Sequence, residues 1–328
     1  MDSIVRFDPR KATDARHAQL HAVLARCHAE SHPREPYRTP SDTRAFLEHP
    51  PQMDARSQWL ALCGDVVHGI AELSATHGST AGSVRINVDP AARRRGLGSA
   101  LLAAVTSHAE TSRLRTLIGH HATAAGARFA ARAGFRDGRR DVRGLLELAT
   151  ARLEWIAVDG YRLYSWRGAV CDGLLDSYAR AREAINDAPS ASANDWERFD
   201  AARVRDLEQS VARRGREVRV TAALDRSGTV VAFSELRVGT RPGSVAGIED
   251  SAVLRAHRRL GLGRMVKVES LRLLREARPD VALVTTTNAE CNAPIRRLNE
   301  AIGFTPELVS TVCTVEVIPP PSCSRASS

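Results

Sequence analysis

Two short glycine-rich segments recur along this chain, and their recurrence limits what it can fold into. Arg93-Arg94-Arg95-Gly96-Leu97-Gly98 returns as Arg258-Arg259-Leu260-Gly261-Leu262-Gly263, and Ala133-Gly134-Phe135 returns at a nearly equal offset as Ile302-Gly303-Phe304. A period this long, present in two copies, specifies two tandem domains of one fold rather than a solenoid. At about 100–200 residues per domain, a chain of 328 residues accommodates both. The cut is expected near Thr150–Val158, giving an N-terminal domain over 1–150, a C-terminal domain over 159–318 and a tail at 319–328, whose prolines and serines predict disorder.

Hydrophobic periodicity predicts the same order of elements in each half. In the first half it gives a strand at Ile4–Phe7 and a helix at Asp14–His28, then a short helix that Ser41-Asp42-Thr43 caps. A hairpin over Ser57–Cys63 and Val67–Ser74 and a strand at Ser83–Val88 lead to the glycine turn. A helix from Ser99 to Glu110, a strand at Arg115–Gly119, a helix at Thr123–Ala133 and a closing strand at Val142–Leu148 complete the unit. The second half repeats this with a strand at Tyr161–Arg167 and helices at Leu174–Asn186 and Asp195–Arg213. A hairpin over Glu217–Leu224 and Thr229–Val238 turns at Asp225-Arg226-Ser227-Gly228, a strong turn signal. Strand Val245–Leu254, helix Arg264–Arg275, strand Val281–Thr286, helix Ala293–Ala301 and strand Leu308–Val317 follow. The fold class is α/β, an α+β arrangement on a mixed sheet, with each closing strand expected in its own half.

Strand, Arg-x-x-Gly-x-Gly, helix is an arrangement with a chemical use. Glycines let the backbone turn tightly and approach a ligand with no Cβ in the way. The free N–H groups at the start of the helix converge on one spot, where the helix dipole adds positive potential, so a phosphate or pyrophosphate is held there. Neither turn is followed by the lysine of a Walker A loop, and Leu101 and Val266 occupy the third glycine position of a dinucleotide fingerprint.

Val88-Asp89-Pro90-Ala91-Ala92-Arg93-Arg94-Arg95-Gly96-Leu97-Gly98 resembles the motif of the GNAT N-acetyltransferase superfamily, in which a strand ending at Val-x-Pro leads into Arg/Gln-x-x-Gly-x-Gly/Ala. Val253-Leu254-Arg255-Ala256-His257-Arg258-Arg259-Leu260-Gly261-Leu262-Gly263 is a second copy, with Arg255 in place of the proline, and the Gly-Phe pairs resemble the family's later motif. The resemblance implies two tandem acyl-CoA N-acyltransferase folds, a layout similar in architecture to the mycothiol synthases, and acetyl-CoA as co-substrate with no metal. It places the pantetheine arm in a gap beside Val88 or Val253. The pyrophosphate would lie among Arg93, Arg94, Gly96, Leu97 and Gly98, or among Arg258, Arg259, Gly261, Leu262 and Gly263. The family's later motif carries an Asn, present here as Asn292 and replaced by Thr123 in the first half. It also carries a Tyr that protonates the departing thiolate; Asn299 and Ala130 stand at that position.

Acyl transfer to an amine needs a group that takes the amine's proton. Glu249 and Asp250 on the strand entering the second turn, and Glu235 on the preceding strand, are the candidates. The matching strand of the first half, Val84-Arg85-Ile86-Asn87, has no carboxylate, leaving Glu72 as its nearest counterpart. A regular strand would put Glu249 on the face of Val253, whereas a bulge between them would favour Asp250. Chemistry is therefore expected in the C-terminal half, with the first half degenerate.

Composition narrows the setting. The six cysteines form no Cys-x-x-Cys pair, which argues against zinc or a disulfide framework and for a reduced, cytoplasmic compartment. No apolar run is long enough to span a membrane. The net charge of +9 comes almost wholly from arginine, lysine occurring only at Lys11 and Lys267. That charge suits a phosphorylated co-substrate, while few stacking aromatics and no helix-turn-helix signature argue against nucleic acid. A small-molecule or peptide amine is the expected acceptor and a monomer or homodimer the expected state. The loss of the tyrosines keeps a non-catalytic acyl-CoA sensor as the alternative.

Overall fold

The computed structural model describes residues 2–187 and 198–317. It resolves into two compact units, one made of Met1–Ser31, Met53–Gly138 and Ser310–Ser328, the other of His32–Gln52 and Arg139–Val309. Neither unit is a contiguous half of the chain.

The first unit is a mixed sheet. Strands β1 (Asp2–Phe7), β2 (Asp54–Cys63), β3 (Val66–Thr76) and β4 (Ala81–Val88) run antiparallel in chain order. Strand β5 (Thr116–His121) lies parallel to β4, and the C-terminal strand β12 (Thr305–Glu316) closes the unit by pairing antiparallel with β5 from Thr311 to Glu316. Side chains alternate across the strands, so Trp59, Ala61, Ala71 and Leu73 share a core with Leu97, Leu101 and Val105 of helix α3 (Leu97–Thr111). Helix α1 (Asp14–Ser31) packs on β3 with Leu20 and Val23 buried. Helix α4 (Ala124–Arg132) starts at Thr123, whose hydroxyl accepts from the Gly126 N–H, one of the capping bonds that satisfy orphan donors.

The second unit repeats the plan. Strands β7 (Arg162–Arg167), β8 (Arg216–Leu224), β9 (Val230–Gly239) and β10 (Ala246–Val253) are antiparallel in chain order. Strand β11 (Leu283–Ala289) is parallel to β10, and β6 (Arg136–Glu147) closes this unit, pairing with β11 from Asp141 to Glu147. Helix α7 (Leu262–Ala277) covers one face through Val268, Leu271 and Leu274, joined by Ile302 of α8 (Ala293–Ile302). Helices α5 (Asp172–Glu183) and α6 (Ala201–Arg213) cover the other, where Tyr178 and Val204 meet Val218, Val220 and Phe233. Helix α2 (Pro40–Glu48) also belongs here: His49 O accepts from Ser210 Oγ (3.1 Å) and Arg214 Nε (2.7 Å), and Asp206 accepts from the Gln52 N–H (2.6 Å).

Several expectations are corrected. The strand expected to close the first half, Val142–Leu148, falls on β6 up to Glu147 and closes the second unit, while the chain's last strand closes the first. The domains expected at 1–150 and 159–318 therefore differ from the compact units, because the closing edges are exchanged and α2 packs on α6. Helix α2 is capped by Thr39, not Ser41: Thr39 Oγ1 accepts from the Asp42 N–H and the Asp42 carboxylate accepts from the Thr39 N–H. Helix α6 begins at Ala201, and the expected stretch from Asp195 to Glu197 lies outside the described residues, as do the tail residues 319–328.

Candidate functional site

Each glycine turn is built the same way. Arg94 and Gly96 sit at φ 67° and 85°, and Arg259 and Gly261 at 66° and 90°, the left-handed region that strains an L residue and suits glycine. The alternating turn exposes successive N–H groups and delivers them to the first turn of a long helix. Gly96 and Gly261 are the N-caps of α3 and α7; no side chain caps either helix, and no acidic residue stands in either first turn. Helices α2, α4 and α6 are capped by side chains. The starts of α3 and α7 thus keep free donors, which the glycine turns leave open and which fit a phosphate group. A Cβ on Gly263 would lie 3.5 Å from Val253 Cγ2, so the glycine also brings α7 close to the end of β10.

The motif arginines divide into two kinds. Arg93 Nε donates to Val88 O (3.2 Å) and its guanidinium pairs with Glu30 (2.5 Å). Arg258 Nε donates to Val253 O (3.0 Å) and pairs with Asp187 (2.6 Å). Both fold back to brace the turn against the strand end. Arg94 and Arg259 are exposed, with no ion-pair partner among the described residues, and stand free to meet an anion.

Beside each turn the sheet opens. Strand β4 pairs with β5 over Ala81–Ser83 alone, so its last residues, through Val88, diverge. Strand β10 pairs with β11 only over Ala246–Ile248. In the second unit the cause is visible: the register of β10 against β9 shifts between Ile248 and Asp250, making Glu249 the extra residue of a β-bulge. In the first unit β4 runs against β3 without a shift, from Ser83 to Val88.

The bulge gathers the candidate carboxylates. Glu249 folds over Gly247, where its Oε1 would lie 3.0 Å from an added Cβ. Asp250 accepts from Arg182 Nη2 at 2.7 Å on the face that α5 covers. Glu235 is buried in the same group, ion-paired to Arg182 and accepting from Tyr178 Oη (2.9 Å) and Arg237 Nε (2.8 Å); Arg237 also lies 3.8 Å from Glu249. Burial raises the Glu235 carboxyl, but Arg182 and Arg237 outweigh it and hold the group at about 2. Burial raises Asp250 and prevails over the Arg182 guanidinium, leaving it at about 6. Burial is opposed at Arg182 by Glu235, which keeps that arginine charged. Glu235 is therefore a fixed anion, and Asp250 exchanges a proton near neutrality. A pocket of about 10 Å³, room for one water, opens beside Tyr178, Arg182, Glu235 and Arg237. In the first unit Glu72 is tied up by Arg56 (2.9 Å) and Gln58 (3.0 Å).

A second polar group lies between α7 and α8. Lys267, 1% exposed, donates to Asn299 Oδ1 (2.6 Å), and Asn299 Nδ2 donates to Asn288 Oδ1 (2.7 Å). Burial lowers the ammonium to about 7. Asn299 and Asn288 line a pocket of about 30 Å³ with Thr286 and Phe304. Asn292 stands at the N-cap of α8 but makes no side-chain capping bond. Cys291 is exposed just before α8, and Cys313 is buried, its thiol pushed up to about 11 and protonated.

Glu235, Glu249 and Asp250 are thus brought together on one face, and Val253, Arg258, Arg259, Gly261, Leu262 and Gly263 around one turn. Tyr178, Arg182, Arg237 and Lys267 escaped the sequence reading. Arg182 and Tyr178 sit at helical spacing on α5 and read there as an amphipathic surface, although the scarcity of lysine was a signal for Lys267.

An acetyltransferase (GNAT) domain profile matches residues 54–137, and an acetyltransferase (GNAT) family profile matches residues 178–304. Together they span more than half of the chain. Among solved structures, a tandem GNAT protein from the clavulanic acid biosynthesis pathway is similar over 98% of this chain and 100% of its own, at 24% identity and a TM-score of 0.81. A GCN5-related N-acetyltransferase from Sphaerobacter thermophilus is similar over 97% of this chain and 96% of its own, at 17% identity and a TM-score of 0.68. A protein described as a putative acetyltransferase, from Pyrococcus horikoshii, covers 96% and 89% at 13% identity and a TM-score of 0.56. No curated protein matches the chain in sequence. No described helix is long and apolar enough to cross a membrane. With two family matches placed one in each half, each on a strand, glycine turn and uncapped helix, the chain belongs to the GNAT acetyltransferase family and is a tandem acyltransferase of two GNAT folds.

Proposed function

We propose that this protein transfers an acetyl group from acetyl-CoA to a primary amine by direct attack, and that the reaction takes place in the second unit. The observation that carries this reading is the bulge at Glu249, which ends the β10–β11 pairing and turns Asp250 to the face of Arg182. The first unit keeps the glycine turn, but β4 has no bulge and no carboxylate, and the nearby acids Glu72 and Asp89 are ion-paired to Arg56 and Arg26, so it serves as a degenerate copy. The contiguous halves, 1–150 and 159–318, are the two copies of the ancestral repeat.

In the proposed reaction the N–H groups of Leu262 and Gly263, with Arg259, hold the pyrophosphate at the start of α7. The N–H groups at the end of β10, unpaired to β11, face the pantetheine arm. Asp250 takes the proton from the amine as the N–C bond forms and the C–S bond breaks. Arg182, locked by Glu235 and Tyr178, fixes the orientation of Asp250. The thiolate leaves and takes its proton from solvent, since the Asn299 amide is not an acid.

Calorimetric titration of acetyl-CoA, followed by thiol release in the presence of an amine panel, tests the reading. Saturable binding with amine-dependent thiol release supports it. Binding without release from any amine would instead establish a sensor, and no binding would remove the co-substrate altogether.

A further inference from the structure

Three residues of the first unit that acetyl transfer does not use meet at one place. His121 ends β5, Asp137 stands at the start of β6 and Cys313 lies on β12. Their ligand atoms, an imidazole nitrogen, a carboxylate oxygen and the sulfur, all lie within 4.8 Å of one another. Register brings two of them together. Thr311 of β12 pairs with His121 and Cys313 pairs with Gly119, so His121 and Cys313 are diagonal neighbours on one face of the sheet. Gly119 carries no side chain, and a Cβ there would lie 3.5 Å from Cys313 Sγ, so the strand beside the sulfur is bare. His121 Nε2 lies 2.9 Å from Asp137 Oδ1.

The chemistry of this set is that of a metal site. Glu72, Glu235 and Asp250 are each held by an arginine. Asp137 has no arginine or lysine partner among the described residues and pairs with His121 instead. Imidazole, thiolate and carboxylate are ligands of zinc, which holds them at about 2.0–2.3 Å and so sets neighbouring ligand atoms roughly 3–3.7 Å apart. The 2.9 Å between His121 and Asp137 is close to that spacing. Thiolate and carboxylate together carry the negative charge that a divalent cation cancels. Cys313 is buried at 3% exposure, whereas the Asp137 side chain is 63% exposed, which gives an ion a way in and leaves room for water as its fourth ligand.

We propose that His121, Asp137 and Cys313 bind one divalent ion of the borderline-soft class, zinc, and that the ion ties the chain's last strand to β5. Binding breaks the S–H bond of Cys313 and forms a sulfur–metal bond, and the proton goes to solvent. The ligands come from three different strands, which is why no Cys-x-x-Cys spacing marks the site. An ion that binds the folded unit and not the unfolded chain stabilises it by mass action.

The test titrates reduced, chelator-treated protein with zinc by calorimetry and with cobalt(II) by absorption. One ion per chain should bind, cobalt should show a thiolate charge-transfer band, and zinc should raise the melting midpoint. Affinity should fall by roughly 100-fold or more in Cys313→Ser and in His121→Ala, since losing even a group that only orients a ligand costs about 10–100-fold. Asp137→Asn removes an exposed ligand with little risk to folding and should weaken binding likewise. Cys291→Ser, in the other unit, should change neither band nor affinity. No zinc binding by the wild type, a cobalt band that survives Cys313→Ser, or wild-type affinity in Asp137→Asn would overturn the site. None of these readouts involves acetyl-CoA, so the site stands or falls apart from the function proposed above.

Discussion

Arg182 Nη2 lies 2.7 Å from Asp250 Oδ2, while Nη1 of the same guanidinium is ion-paired to Glu235. One side chain thus spans two carboxylates on neighbouring strands, Glu235 on β9 and Asp250 on β10, and treats them differently. The deeper one is held as an anion, and the one at the bulge stays close to neutrality.

That difference sets a pH dependence. Asp250 must be ionised to accept a proton, so kcat/KM should rise with pH through an inflection at about 6. In Asp250→Asn the acid limb should disappear and turnover should fall by about 10²- to 10⁴-fold, with acetyl-CoA affinity unchanged. A retained inflection in the variant would transfer the role to Glu249. For stability the sign is the reverse. A carboxyl raised from 3.8 to about 6 by folding stabilises the fold fully only below its unfolded value and loses that contribution as pH rises through about 6.

The glycine turns can be compared directly. Gly261→Asp puts a Cβ at φ 90° and a negative charge into the uncapped end of α7. Acetyl-CoA binding should vanish, with a stability loss of about 1–2 kcal/mol from the left-handed conformation. Gly96→Asp carries the same strain at φ 85° but should spare turnover. Calorimetry and thermal melts on both variants check this. Loss of binding in Gly96→Asp alone would move the working site to the first unit.

Breaking the buried pair should be costly. Glu235→Gln leaves Arg182 and Arg237 short of their anion in a core where Glu235 is 3% exposed. Removing one partner of such a pair costs about 3–5 kcal/mol, read as a shift of the denaturation midpoint. A change below 1 kcal/mol would mean that water screens the group.

Lys267 predicts a second pH signature. Its ammonium is lowered to about 7 by burial, so the folded state resists the proton that the unfolded chain holds up to its ordinary value near 10.5. Wild-type stability should therefore rise, relative to Lys267→Met, as pH increases from 7 towards 10. A pH-independent difference between the two melts would contradict a titrating Lys267.

Exchange of the closing strands predicts a failed truncation. A fragment ending at Thr150 lacks β12, the antiparallel partner of Thr116–His121, and carries β6 from Asp141 to Glu147 without β11. It should be aggregation-prone, with two unpaired edges. Coexpression with residues 151–328 should recover cooperative unfolding, measured by circular dichroism. A monomeric, cooperatively folded fragment would show that the exchange is dispensable.

Local chemistry was legible from residues alone. The duplicated turns, the helices that follow them and the hairpins were readable because glycine, turn residues and apolar periodicity act over a few neighbours. The family followed from those segments. Even the consequence of a bulge near Glu249 was foreseeable as an alternative, since strand parity leaves two outcomes.

Tertiary structure decided the rest. Nothing in Val142–Leu148 or Leu308–Val317 states which sheet edge each will take, because strand pairing is a contest between distant segments with similar alternating patterns. Pairing with β9 placed the bulge at Glu249, and packing of α5 on that face brought Arg182 and Tyr178 to Glu235 and Asp250. The separation of their proton affinities then arose from burial and from one shared guanidinium. Those are properties of a folded interior, and residue order alone carries no measure of them.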